Sequence, residues 1–154
     1  MQSSSMEPTL HCARSRGIYN GCEANVADEL IVEPVSDVER GDILAFTTPP
    51  AAETQCGLGG TFVKRVIGLP GERIKERDGW FYIDGRKLDD SGYVRPGRRD
   101  DRSGYWIVPK ASYFVVGDNR TQSCDSRRWG SVAKEDVQGK VVDAQHPSGR
   151  VELP

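Results

Sequence analysis

Ser5 and Lys64 are the two residues in this chain whose chemistry can combine into a catalyst. Ser5 closes the run Ser3-Ser4-Ser5 and is followed by Met6-Glu7-Pro8-Thr9-Leu10. Pro8 fixes its own φ and pushes the residue before it towards an extended conformation, so Met6 to Leu10 reads as a stiff, partly apolar turn with Ser5 at its lip. A hydroxyl held there attacks a carbonyl carbon only if a base takes its proton, because a free serine is a weak nucleophile at neutral pH. Standing alone, a serine run at a chain start reads as a flexible tail.

The base that would change that reading is Lys64. It interrupts the apolar strand Phe62-Val63-Lys64-Arg65-Val66-Ile67. Strand alternation puts Phe62, Lys64 and Val66 on one face, so one charge must share an apolar surface. Two readings fit the strand. An edge lysine would lay its stem along the sheet and reach water with its amine. A buried lysine would lose solvation, its pKa would fall, and the neutral amine could take a serine proton. A Ser-Lys pair can then do the work of a Ser-His-Asp triad with one residue fewer.

The elements that must position this pair are short strands. Glu29-Leu30-Ile31-Val32-Glu33 reads as a strand closed by Pro34, and Ile43-Leu44-Ala45-Phe46 follows the turn Arg40-Gly41-Asp42. Residues 48 to 60 read as a loop. Thr61 to Ile67 is the strand carrying Lys64, ended by Gly68-Leu69-Pro70-Gly71. Asp78-Gly79 and Asp84-Gly85 mark two hairpin turns around Trp80-Phe81-Tyr82-Ile83. Residues 91 to 104 mix Arg95, Arg98, Arg99 and Arg102 with Asp100 and Asp101. They read as a solvated loop, with contact to lipid headgroups or a partner as the sharper alternative. Tyr105-Trp106-Ile107-Val108 and Tyr113-Phe114-Val115-Val116 are strands. Gly117 to Gly130 is a polar loop, Val132 to Val137 a short helical turn, and Val137 to Val142 a last strand. Residues 146–154 form a tail without pattern. The sum is an all-β, mainly antiparallel chain with little helix.

Composition narrows the function classes. A length of 154 residues suits one domain. The formal net charge of -2 argues against a nucleic-acid binder that works by bulk charge. No stretch approaches the roughly 18 apolar residues of a membrane span, and no signal peptide is visible. Cys12 and Cys22 bracket a polar loop within residues 11–27, which suits a disulfide in an oxidising compartment. His11, Cys12 and Cys22 as metal ligands are the other reading of the same residues. Cys56 and Cys124 read as idle thiols, although oxidation at Cys124 would fall beside Ser123. No metal and no cofactor is expected.

Four stretches in order carry a resemblance. Ser5-Met6-Glu7-Pro8-Thr9, Arg40-Gly41-Asp42-Ile43, Lys64-Arg65-Val66-Ile67-Gly68-Leu69-Pro70-Gly71-Glu72, and Gly117-Asp118-Asn119-Arg120 through Ser123, Asp125-Ser126-Arg127 and Trp129-Gly130 resemble the successive boxes of bacterial type I signal peptidases. The resemblance spans about Ser3 to Val142. It implies a serine endopeptidase on the outer face of the bacterial cytoplasmic membrane that removes signal peptides from secreted preproteins. By the same resemblance Ser5 is the nucleophile and Lys64 the general base. Ser3 and the Ser5 backbone N–H form the oxyanion hole, and Ser123 orients the lysine amine. Asp125 and Arg127 form a supporting pair, which reads equally well as a loop tether. Met6, Leu10, Phe62 and Val63 fall where the family lines its substrate pockets, with plain core as the other reading and the stronger one for Leu10. Shallow apolar pockets would accept Ala at P1 and P3, giving Ala-x-Ala specificity, with the peptide bound as an added strand. The implied partners are preprotein signal peptides and a membrane surface; no nucleic acid is implied, and the chain is expected to act as a monomer.

The chain departs from the family pattern in two places. It lacks the transmembrane helices that precede the serine box, and Gln2 stands where proline is common; this reads as a catalytic domain whose upstream anchor is missing. Rival readings are a self-cleaving Ser-Lys regulator, a conjugation-type peptidase, and a β domain that binds signal peptides without turnover.

Overall fold

The computed structural model describes residues 3–15, 20–151 and 153–154. Part of the Cys-bracketed loop, residues 16–19, lies outside them, as do Met1, Gln2 and Glu152. The chain builds eleven strands and two short helices among these residues: β1 (Glu29–Glu33), β2 (Ile43–Thr47), α1 (Pro50–Cys56), β3 (Thr61–Gly68), β4 (Arg73–Arg77), β5 (Trp80–Ile83), β6 (Arg86–Lys87), β7 (Gly104–Ile107), β8 (Ser112–Val116), α2 (Ser126–Trp129), β9 (Val132–Ala133), β10 (Val137–His146) and β11 (Gly149–Val151). The fold is mainly antiparallel β, as the alternation and turn signals imply.

The strands form two sheets. The larger has the order β1-β10-β2-β3-β8-β9, with β11 paired to β10; the smaller has the order β6-β5-β4-β7. Strand β3 lies at the centre of the larger sheet, antiparallel to β2 on one side and β8 on the other, with Lys64 opposite Leu44. Its first three residues are exposed or half-buried and its last five are buried. Lys64 is therefore an interior residue, and the edge-lysine reading is excluded by the position of its strand.

Three apolar clusters hold the sheets. One joins Leu44, Phe46, Val66 and Val115 to Ala52 of α1 and Trp129 of α2. A second joins the small sheet (Ile74, Phe81, Ile83) to Ile67, Phe114 and Val116. The third packs Met6 and Leu10 against Ile43, Val141 and Ala144. Cluster membership follows strand alternation: Leu44 and Phe46 face one way, Ile43 the other.

The differences from the sequence reading are local. The stretch read as a loop over 48 to 60 holds α1, started by Pro50 at its first turn and stopped by Gly57 in the left-handed region at φ 71°. Seven residues are too few for a helical period to emerge from the sequence. The polar loop 117–130 contains α2, capped by Asp125, whose side chain accepts a hydrogen bond from the Arg127 N–H. Residues 132–137 divide into β9 and a single 3-10 turn over Lys134–Asp136. The last strand runs to His146 rather than Val142, and the tail folds back as β11. Both Asp-Gly pairs form hairpin turns with positive φ at Asp78, Gly79, Asp84 and Gly85.

Candidate active site

Ser5 lies in a single 3-10 turn, Ser4–Met6, closed by the Glu7 N–H donating to Ser4 O. Burial fixes this turn from three directions. Met6 and Leu10 sink fully into the third cluster. The carboxylate of Glu7 is buried, accepts the N–H groups of Cys12 and Glu23, and meets His11 Nδ1 at 2.6 Å. Thr9 donates its hydroxyl to Asp118 Oδ2 at 2.6 Å. Of the residues that follow Asp118, Asn119 donates its backbone N–H to Ser5 O and its side-chain amide to Ser4 O. The Gly117–Gln122 loop thus grips the backbone of the Ser5 turn. Gly117 is needed for that contact: a Cβ there would stand 2.4 Å from Ser5 O and 2.3 Å from Ser123 Oγ.

Across the turn, Lys64 Nζ is 2.7 Å from Ser5 Oγ and also donates to Val63 O. Lys64 is 2% exposed. Burial pushes its amine down from the ordinary 10.5 to about 8, against the opposing fields of Asp125 and Asp118. The ammonium also lies 5.1 Å from the centre of the Phe62 ring. Ser3 Oγ stands 3.0 Å from Ser5 Oγ. Three residues distant in character, two hydroxyls and an amine, therefore meet at one point.

Ser123 is buried close to Gly117, with its hydroxyl beside the Asp125 carboxylate and without a hydrogen bond to Lys64. Asp125 and Arg127 form a buried bidentate pair, Nε to Oδ1 at 2.8 Å and Nη2 to Oδ2 at 3.0 Å. Burial alone would raise the Asp125 carboxyl; the Arg127 guanidinium outweighs it and holds the group below its ordinary range. Arg127 further donates to Asp100 and to the carbonyl of Arg120. The pair ties the loop that carries Ser123 to the rest of the molecule.

A cleft of about 770 Å³ opens at this point, lined by Ser3, Ser5, Lys64, Phe62 and Val63 among the residues named from the sequence. Met6 and Leu10 do not line it; they pack behind the turn as core. An apolar residue next to Ser5 can face the cleft or the interior, and only the strands packed behind the turn decide which.

Sequence reasoning missed several contributors. Leu30, Leu58 and Gln122 complete the cleft wall. Leu58 is exposed, which no local pattern announces. Arg65 forms a buried bidentate pair with Asp118, at 2.9 and 2.8 Å. Cys12 and Cys22 are joined as a disulfide, so neither is free for a metal. Cys56 and Cys124, read as idle thiols, are also joined. This second bridge ties the end of α1 to the residue after Ser123, and both half-cystines line the cleft. Two cysteines 68 positions apart give no spacing signal in the sequence. Among the described residues no group of three or more side chains is arranged to hold a metal ion.

These features define a mainly antiparallel β protein in which a serine hydroxyl and a buried lysine amine meet on an open cleft. A family model for signal peptidases, peptidase S26, matches residues 1–143. The chain belongs to that family. It is 36% identical to a probable signal peptidase I-2 of Synechocystis, over 98% of this chain and 63% of the relative. It is 38% identical to a signal peptidase I of Leptolyngbya laminosa, over 82% of this chain and 64% of the relative. It thus spans less than two thirds of the length of either. Among solved structures, a signal peptidase I from Enterococcus faecalis V583 superposes with a TM-score of 0.56 at 32% identity, covering 70% of this chain and 99% of that one. Among the described residues no helix is long and apolar enough to cross a membrane.

Proposed function

We propose that this chain is the catalytic part of a type I signal peptidase, which cleaves signal peptides from preproteins with Ser5 as nucleophile and Lys64 as general base. The observation that carries this reading is the 2.7 Å contact between Ser5 Oγ and an amine whose burial brings its pKa to about 8. A useful fraction of the amine is then neutral near pH 7, and a neutral Lys64 takes the proton as Ser5 Oγ attacks the scissile carbonyl. The lysine returns that proton to the leaving amine, and water hydrolyses the acyl-enzyme by the same route.

Ser3 Oγ and the Ser5 backbone N–H are the donors for the oxyanion. Ser3 Oγ already lies within hydrogen-bonding distance of Ser5 Oγ and needs only a rotation to reach a tetrahedral oxygen. Phe62 and Val63, on the half-buried start of β3, supply the apolar wall against which small side chains at P1 and P3 would rest. An extended peptide along this wall accounts for Ala-x-Ala specificity. The substrates are secreted preproteins. The site of action is the outer face of the cytoplasmic membrane, where the chain meets the membrane surface and works as a monomer. Two disulfides are consistent with such an oxidising, extracytoplasmic setting.

The test is cleavage of a preprotein carrying an Ala-x-Ala site in detergent, with the cut located by mass spectrometry. The expected product ends at the Ala, and Ser5→Ala and Lys64→Met each reduce kcat/KM by about 10³-fold or more. The wild-type rate is expected to rise with pH to about 8 and then level off, because deprotonation of Lys64 creates the base. A cut elsewhere, or a rate indifferent to either substitution, would refute the assignment.

A further inference from the structure

The small sheet presents an outer face that the proposed chemistry does not use. Its inward residues, Ile74, Phe81 and Ile83, belong to the second core cluster. Their neighbours in sequence therefore point outward. In register across all four strands stand Lys87, Tyr82, Lys75 and Tyr105, a row that alternates cation and aromatic ring. Along β4, the second strand of this row from β7, Arg73, Lys75 and Arg77 are all exposed. Alternate residues of a strand lie about 6.7 Å apart, so these three form a straight line of positive charge. Trp80 stands opposite Arg77 and carries Lys87 Nζ over its ring at 3.7 Å.

No carboxylate shares this outer surface within the strands. Glu76 points inward and is buried. Asp78 and Asp84 lie in the turns, and only Asp84 approaches a member of the line, standing 3.7 Å from Arg73. The concentration of cations is not forced by composition, since the chain as a whole carries a formal charge of -2. Tyr105 and Ile107 are also left 59% and 63% exposed.

We propose that this face binds a linear acidic polysaccharide. The row of cations on β4 matches a chain that repeats its negative groups, and the rings of Tyr82 and Tyr105 on the two flanking strands offer platforms for sugar rings. The cleft lies along the first half of β3, whereas the small sheet follows the opposite end of that strand. The face thus presents to a different neighbour from the peptide in the cleft. The preference for a glycan over a nucleic acid rests on the extracytoplasmic placement proposed above.

The experiment titrates the Ser5→Ala protein with heparin, a soluble linear acidic polysaccharide, at several salt concentrations and follows tryptophan fluorescence. Because cleavage is not the readout, failure of the peptidase reading would leave this result unaffected. Binding is expected to weaken with salt and to fall at least tenfold in Lys75→Glu/Arg77→Glu, with the milder Lys75→Gln/Arg77→Gln as a check against misfolding. Each cation removed is expected to lower the log–log salt slope by about 1. Tyr82→Ala/Tyr105→Ala is expected to lose several-fold with the slope unchanged, while Arg150→Glu, on the large sheet, binds as before. Unchanged binding in both charge variants overturns the proposal, as does equal loss in Arg150→Glu. Tighter binding of a single-stranded oligodeoxynucleotide or of anionic lipid vesicles through the same residues also overturns it.

Discussion

Lys64 and Arg65 are adjacent on one strand, both almost wholly buried, and their environments are opposite. Arg65 meets Asp118 with two hydrogen bonds and gives both Nη1 donors to the carbonyls of Gly41 and Pro154. Lys64 faces a hydroxyl, a carbonyl and the Phe62 ring, with no carboxylate in contact. Strand alternation sends the two side chains to opposite faces, and the faces are built differently. The paired cation is structural: it clamps the Gly117–Gln122 loop, through Asp118 and Thr9, against the Ser5 turn. The other cation has no carboxylate in contact, and burial is left to depress the Lys64 amine to about 8. A carboxylate in contact with Lys64 would offset its burial and hold the amine protonated.

This contrast can be broken by one substitution made at both positions. Arg65→Met leaves the Asp118 carboxylate buried without its partner, and a broken buried pair costs about 3–5 kcal/mol. Urea denaturation near pH 7 is expected to show that loss, and a midpoint matching wild type would mean that the pair is not formed in solution.

Lys64→Met is expected to move stability the other way. The fall from 10.5 to about 8 corresponds to a cost of about 3 kcal/mol, at about 1.4 kcal/mol per pH unit. Between those two pH values the unfolded chain binds more protons at this site than the folded one, so wild-type stability rises with pH across the window. The cost is full below about pH 8 and gone above 10.5. The variant is therefore expected to exceed wild type by roughly 2–3 kcal/mol at pH 7, after loss of the Ser5 contact, and the advantage is expected to vanish towards pH 10.5. An advantage that does not change with pH would trace to packing rather than to a depressed amine.

Ser123→Ala sharpens the comparison with the smallest effect. Its hydroxyl lies beside the Asp125 carboxylate, which Arg127 already pairs, so its removal is expected to change stability by about 1 kcal/mol or less. If the hydroxyl turns to Lys64 during catalysis, the pH at which the rate levels off will move while stability stays fixed. A loss well above 1 kcal/mol would instead assign Ser123 a structural bond in the resting protein.

Much of this was legible in the sequence. The Asp-Gly pairs fixed both hairpins of the small sheet, because a turn with positive φ is a local requirement that few residues meet. The apolar run around Lys64 identified its strand, and Pro8 identified a stiff turn at Ser5, because propensity and turn chemistry act over a few residues. Tertiary structure decided what those segments touch. β8, distant in sequence, pairs with the side of β3 that β2 leaves open, and β3 thereby becomes central rather than marginal. That position buried Lys64; packing against Ile43, Val141 and Ala144 took Met6 and Leu10 into the core rather than the cleft, and the fold brought Cys56 to Cys124. The same two adjacent cations acquired opposite environments for one reason: a carboxylate from a distant loop makes contact with one of them and acts on the other only at a distance. Burial sets the energy of a charge, and the partners that share its burial are chosen by the whole fold.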